Sequence, residues 1–164
     1  MKISKSIESI INKQINHEMV SAYIYLAMSA WFETTPFKGF AKWMNEQNKE
    51  ETVHAMKFYS YLINRGGVVD LDVIQKPKAA YRTPLEAFQV AFAHEQKITS
   101  SIHQIYAMAE AERDYETLEF LSWFLKEQVE EEKTVEDILA LLHLAGDHPG
   151  ALMQIDAKLG ASRG

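Results

Sequence analysis

Six side chains able to bind or steer a hard cation recur along the chain at matched intervals: Glu18, Glu51, His54, Glu95, Gln128 and Glu131. Glu18 and Glu51 are 33 residues apart, as are Glu95 and Gln128, and His54 and Glu131 each lie three residues further on. Adding 77 to 18, 51 and 54 gives 95, 128 and 131. The chain therefore reads as two similar halves, each with one polar group followed by a pair at i, i+3. Carboxylate oxygens with one imidazole nitrogen suit iron or manganese better than the soft metals that thiolates select. Charge points the same way. Burying four carboxylates without compensation costs several kcal/mol each, and two divalent cations would neutralise all four. A dinuclear metal site is the expectation.

Three more acidic residues, Glu50, Glu127 and Glu130, stand one position off these places, and Glu50 to Glu127 is again 77. A run such as "KEQVEEEK" is ordinarily a solvated charged face; its adjacency to the proposed ligands supports a third, more exposed cation position. Tyr25 lies seven after Glu18, and Trp123 seven before Glu130. On spacing alone, both are explained by core packing. His17 and His94 directly precede Glu18 and Glu95, but neighbours on a helix point about 100° apart, so neither is expected to be a ligand. His103, His143 and His148 have no converging partners in the pattern.

The elements that must hold these groups are long helices. Large apolar residues flank the polar ones at seven-residue steps: Met44 and Phe58 around Glu51, Phe88 and Ile102 around Glu95, Leu121, Phe124, Val135 and Ile138 around Gln128 and Glu131. Two helical turns separate such positions, so the polar groups share the core-facing stripes. Helices are expected over about 4–33, 38–65, 84–112, 114–145 and 150–159. Pro36 ends the first and Gly66-Gly67 the second. "TPLE" opens the third, with Thr83 as N-cap, Pro84 at the first helical position and Glu86 closing a capping box, and Asp114 can cap the fourth. The first and last pairs are joined by a few residues and form antiparallel hairpins. About 17 residues join the second helix to the third; extended chain of that length spans ~55 Å, more than the ~42 Å of a 28-residue helix. The fold class is all-α, a four-helix bundle with one long crossover and a short fifth helix, in a single domain over 1–164. The midpoints of 18 and 51 and of 95 and 128 fall at the two short turns, so all six polar side chains should share one level. Leu152, Ile155 and Leu159 of the last segment are expected to pack at a subunit contact.

The totals agree. The chain has 164 residues, 47% apolar and 24% charged, with 7 Gly, 4 Pro and no Cys, which excludes disulfides, iron–sulfur clusters and thiol nucleophiles. A net charge of −6 argues against a nucleic-acid surface. The N-terminus lacks an apolar signal core, and no stretch approaches 18 uninterrupted apolar residues; a cytoplasmic protein with no membrane partner is expected.

The stretches "NHEMVSAYIYLAMSAWF", "EETVHAMKFYSYLINRGG", "HEQKIT" and "FLSWFLKEQVEEEK" resemble the ferritin family, specifically the haem-free bacterial and archaeal ferritins, over essentially residues 1–160. The resemblance implies that Glu18, Glu51, His54, Glu95 and Glu131 match ferroxidase ligands, with Gln128 beside them. It implies that Glu50, Glu127 and Glu130 match the additional iron site of bacterial ferritins, and that Tyr25 matches a tyrosine with a redox role. Bacterioferritins are similar but carry Glu-x-x-His on the fourth helix, where this chain has Gln128-x-x-Glu131, and a haem-ligating Met after the second-helix glutamate, where this chain has Thr52. No haem is expected. Dps proteins place their ligands between subunits, and rubrerythrins add a cysteine-rich domain; neither fits. The implied function is iron storage with ferroxidase activity toward Fe2+, using O2 or H2O2, in a homo-oligomeric shell of 24 subunits. The alternative is a stand-alone di-iron redox enzyme, a rubrerythrin-like peroxidase.

Overall fold

In the computed structural model, which describes residues 2–162, the chain forms α1 (Lys5–Glu33), α2 (Lys38–Asn64), α3 (Pro84–Glu112), α4 (Tyr115–Ala145) and α5 (Pro149–Ser162). Local chemistry sets most of the boundaries. Ser4 caps α1, its hydroxyl accepting from the Ile7 N–H at 3.2 Å. Asp114 caps α4 through the Thr117 N–H at 3.1 Å. Asp114 is the cap expected of it, whereas Ser4 stands just outside the helix that was expected to begin there. At α3, Thr83 accepts from the Glu86 N–H at 3.1 Å, but the Glu86 carboxylate accepts from the Arg82 N–H at 2.6 Å rather than from Thr83. The capping box is therefore only half formed, because the exposed Arg82 amide competes for the same oxygen. The α2 end turns through Gly66 at φ 72°; the Gly67 N–H reaches the Leu62 carbonyl at 2.9 Å and the Gly66 N–H the Ile63 carbonyl at 2.9 Å, a paired closure that needs a left-handed residue.

The crossover runs the length of α1. Val68 donates to Glu8, Asp70 to Asn12, and Asn16 to the Val73 carbonyl, and Tyr81 reaches Trp31 with ring centroids 5.4 Å apart. Successive crossover residues thus meet positions ever further along α1, so α3 begins at the end where α2 began. Arg65 and Asp114 close the opposite end, with two guanidinium–carboxylate contacts of 3.0 and 3.2 Å between the α2 terminus and the α4 cap.

The fifth helix departs from expectation. It is longer than 150–159, and Ile155 and Leu159 are buried within this chain, against the cluster that contains Phe40 and Trp43, instead of waiting for a subunit contact; Leu152 is partly buried there. Two glycines allow this. A Cβ on Gly39 would sit 1.9 Å from the Asp156 carbonyl oxygen, and one on Gly160 would sit 2.9 Å from Gly39 Cα. Asp156 then accepts from the Phe40 N–H at 2.8 Å, supplying the cap that Phe37, at the α2 N-terminus, cannot.

The apolar core is in two parts. One gathers around Phe32, Phe40, Trp43, Phe88 and Leu142; the other around Ile7, Ile11, Phe58, Ile102 and Leu121. Between them in sequence on all four long helices lie the buried polar residues Glu18, Gln47, Glu51, His54, Glu95, Gln128 and Glu131. Among the described residues no helix is long and apolar enough to cross a membrane.

Candidate metal centre

Each long helix contributes to this polar layer because a helix repeats its face every three or four residues. α1 brings Gln14 and Glu18, α2 brings Gln47, Glu51 and His54, α3 brings Glu95 and Thr99, and α4 brings Gln128 and Glu131. One ligand atom from each of Glu18, Glu51 and His54 lies within 4.8 Å of the others. The same holds for Glu51, Glu95 and Glu131, and for His54, Glu127 and Glu131. Glu51 belongs to the first two groups and so stands between them. Two donor sets side by side, sharing a carboxylate, are the geometry for two closely spaced cations.

Burial governs the electrostatics. Glu18, Glu51 and Glu95 are fully inaccessible. Loss of solvation pushes the Glu18 carboxyl up to about 7, offset in part by hydrogen bonds with the Glu51 carboxyl and the Gln14 amide. It pushes Glu131 up to about 8, with the charge of Glu95 adding to it. Glu51 rises well above the usual carboxylate range through burial and the nearby charges of Glu95, Glu18 and Glu131, and Glu95 rises through burial. Without a cation, burial favours the protonated forms of these groups. His54 moves the other way, down to about 4, because burial disfavours the imidazolium. It is neutral at pH 7, the form that ligates metal. Its Nδ1 is 3.2 Å from Glu51 Oε2 and its Nε2 3.9 Å from Glu127 Oε1, so the ring faces both neighbouring groups.

The polar layer fits cations in a further respect. Glu18 Oε2 and Glu51 Oε1 are buried with no N–H or hydroxyl donor, and the two carboxyl groups face one another, an arrangement that needs either a shared proton or a cation between them. Hard carboxylate oxygens and one imidazole are donors for Fe2+.

Other residues singled out in the sequence take distinct places. Tyr25 is buried, and its hydroxyl donates to Glu95 Oε1 at 2.6 Å, so it is more than a packing residue. Gln128 Nε2 lies 3.3 Å from Glu95 Oε2 and 3.1 Å from the Thr99 hydroxyl. Glu50 and Glu127 line a surface cavity of about 300 Å3 that reaches His54 and Trp123. Trp123 packs edge-on against the His54 ring at 5.4 Å. Glu130 is exposed and acts on Glu127 through its charge, which together with burial raises the Glu127 carboxyl. His94 is hydrogen-bonded to Ser21. His17, His103, His143 and His148 are exposed.

The sequence pattern did not draw attention to Gln14 and Gln47. Gln14 Nε2 donates to Glu18 Oε1 at 2.8 Å and Gln47 Nε2 to Glu131 Oε2 at 2.9 Å. A signal was present. Each glutamine stands four residues before a core-facing glutamate, hence on the same buried stripe, where an amide needs a partner.

A four-helix bundle with one long crossover and a carboxylate–imidazole layer in its middle is the class of di-metal carboxylate proteins. Residues 8–145 match the ferritin-like domain of the ferritin family, and this chain belongs to that family. It is 40% identical over 158 residues to the bacterial non-haem ferritin of Bacteroides fragilis strain 638R, covering 96% of this chain and 98% of the relative. It is 36% identical over 159 residues to that of Staphylococcus aureus strain USA300, covering 97% and 96%. Among solved structures it is similar to an open pore ferritin from the hyperthermophilic archaeon Archaeoglobus fulgidus, with TM-score 0.96, 40% identity and coverage of 97% and 98%.

Proposed function

We propose that this iron-storing ferroxidase binds two Fe2+ ions as substrate, one among Glu18, Glu51 and His54 and the other among Glu51, Glu95 and Glu131. The observation that carries the reading is the pair of buried carboxylate groups sharing Glu51, with Glu18 Oε2 and Glu51 Oε1 lacking any N–H or hydroxyl donor. Each Fe2+ gives up one electron, and the pair passes to O2 or H2O2. Binding first displaces the protons that burial keeps on the carboxyls. The carboxylates then favour Fe3+ over Fe2+, because fixed negative charge in a dry site stabilises the higher charge more. Neutral His54 gives one iron a nitrogen donor, so the two positions are unequal. Tyr25 orients Glu95 through its hydroxyl, and Gln128 does so through its amide. Glu127, with Glu50 and Glu130 nearby, forms a third, more exposed position from which iron moves on toward storage.

Storage needs a cavity that one bundle lacks. The chain, a single domain over 1–164, is part of a homo-oligomer, and 24 copies of 18.8 kDa give a cytoplasmic shell of about 450 kDa with closed symmetry. Haem takes no part. The stand-alone peroxidase reading is not favoured by these relatives.

Replacing Glu51 and His54 together by Ala tests the site. Fast Fe2+ oxidation should be lost while gel filtration still shows the full shell. Unchanged initial rates in that variant would refute the assignment.

A further inference from the structure

Three of the four buried carboxylates receive one side-chain amide N–H each. Gln14 donates to Glu18 Oε1 at 2.8 Å, Gln47 to Glu131 Oε2 at 2.9 Å, and Gln128 to Glu95 Oε2 at 3.3 Å. Glu51 has the imidazole of His54 beside one oxygen at 3.2 Å, no amide donor on the other, and the carboxyl groups of Glu18 and Glu95 as its remaining polar neighbours. Gln14 and Gln47 are themselves fully enclosed and come from the helix stripes that carry Glu18 and Glu51. The Gln14 amide is fixed in its turn. The Ser101 hydroxyl, shared between Gln14 Oε1 at 2.7 Å and the Ile98 carbonyl at 2.8 Å, stands at the oxygen end of the amide, so the NH2 end faces Glu18. For Glu18 the amide-bonded oxygen is satisfied and the other, Oε2, has no such donor.

We propose that Gln14 and Gln47 are positioning residues for the metal centre. Each occupies one oxygen of an end ligand, Glu18 or Glu131, and thereby turns the second oxygen toward one cation. Glu51, the carboxylate without an amide donor, is left free to share its oxygens between the two cations. The inference rests on the two-cation reading above and adds a division of labour to it: Gln14 serves the cation beside His54, Gln47 the one beside Glu95. A carboxylate with one oxygen held by a fixed N–H cannot rotate to chelate through both, so coordination number and geometry at each position are set from outside the ligand set. Gln47 also has a purely structural cost, since its Oε1 is buried with no partner. A structural reason to retain the amide is therefore weak at this position.

The test is anaerobic titration of the assembled, demetallated protein with Co2+, whose visible absorption reports coordination geometry, alongside Gln14→Met and Gln47→Met. Gln14→Met should weaken one of the two Co2+ positions by about 10–100-fold and Gln47→Met the other, each with a changed absorption envelope at saturation. The melting temperature of demetallated Gln47→Met should stay close to the parent's, because loss of the hydrogen bond to Glu131 is offset by removal of an unpartnered buried acceptor. A residue that only supports folding would show the reverse, lowered melting with unaltered Co2+ spectra, and that result overturns the proposal. So do affinities within twofold of the parent at both positions. If Gln14→Met fails to assemble, Ser101→Ala releases the same amide without touching a ligand. It should weaken only the Glu18 position severalfold, and an unchanged titration counts against the proposal. A parent protein that binds no Co2+ overturns the metal reading itself, whereas parent binding with unaffected variants overturns only the role of the glutamines.

Discussion

The demetallated protein should lose stability as pH rises from 6.5 to 8, and the loss can be worked from individual groups. A carboxyl whose folded pKa is raised binds its proton more tightly when folded, so its contribution is complete below the unfolded value and disappears as pH climbs through the folded one. Glu131 titrates from 4.5 unfolded to about 8 folded, and Glu18 from 4.5 to about 7. Two histidines oppose them at lower pH. His54 and His94 fall from 6.5 to about 4, so each adds stability as pH rises between those values. Below pH 6.5 the two pairs largely offset one another; above it the histidines fade, returning only ~0.4 kcal/mol apiece by pH 8 because half of each is still protonated in the unfolded chain at pH 6.5. At 1.36 kcal/mol per pH unit, integrating the two titrations gives a fall of ~1.7 kcal/mol for Glu131 and ~0.8 kcal/mol for Glu18, a net ~1.7 kcal/mol after the histidines. Glu51 and Glu95, also raised by burial, act in the same direction.

A decline of about 2 kcal/mol is a measurable part of the 5–15 kcal/mol of a typical domain. Urea midpoints measured at fixed chain concentration across this range should show it. Glu131→Gln, which keeps the shape and removes the proton, should take away the Glu131 part of the slope and leave that of Glu18, Glu51 and Glu95. Saturating Co2+ should abolish the decline, since the cations take the place of the protons. A midpoint that stays flat or rises in the demetallated parent would mean that these carboxyls are hydrated and ionised, and the dry polar layer would have to be abandoned.

Three other perturbations have defined outcomes. Tyr25→Phe removes the 2.6 Å hydrogen bond to Glu95 and should cost the demetallated protein about 1–2 kcal/mol, measured by urea unfolding at pH 6.5; no loss would show that the hydroxyl is not holding the carboxyl. Gly39→Ala brings a Cβ to 1.9 Å from the Asp156 carbonyl oxygen, so α5 must lift and the cap on Phe40 must break. Limited proteolysis should then cut near Gly146 while α1–α4 persist, and resistance equal to the parent would count against tight docking. Glu127→Ala should lower Fe2+ bound anaerobically from three per chain to two without slowing the first oxidation, and an unchanged stoichiometry would remove Glu127 from the third position.

The four long helices could be read from the sequence because their signals are local: seven-residue apolar spacing, Thr83-Pro84 at one start, Gly66 at one end. The common level of Glu18, Glu51, Glu95 and Glu131 was legible for a geometric reason, since positions equidistant from a short turn face each other in a hairpin. What escaped was contact between elements not linked by such a turn. Nothing in "GDHPGALMQIDAKLG" announces that Asp156 will cap α2, because the partner amide lies 116 residues away and the fit depends on two glycines with no side chain to signal it. The glutamines escaped for a different reason. Gln14 and Gln47 are common helix residues, and only burial turns a common amide into an obligate donor.

The same layer explains why this core is built as it is. Apolar packing above and below it, around Phe32, Phe40 and Phe88 at one end and Ile11, Phe58 and Ile102 at the other, supplies the stability that the carboxyls in the middle withdraw. Long helices are what make that tolerable, because each can bury several apolar turns on either side of one polar turn. The cost also has a use. Glu18 and Glu51 retain oxygens that no amide or hydroxyl donor satisfies, only a proton shared between the two carboxyls, and a cation replaces that proton with contacts the folded chain already provides. A bundle with those oxygens fully paired internally would be more stable without metal and would bind Fe2+ less readily. Filling Glu18 and Glu51 with Gln and Leu should therefore raise the demetallated melting temperature and abolish Co2+ binding together, and stability that did not rise would show that the unpaired oxygens are not the source of the affinity.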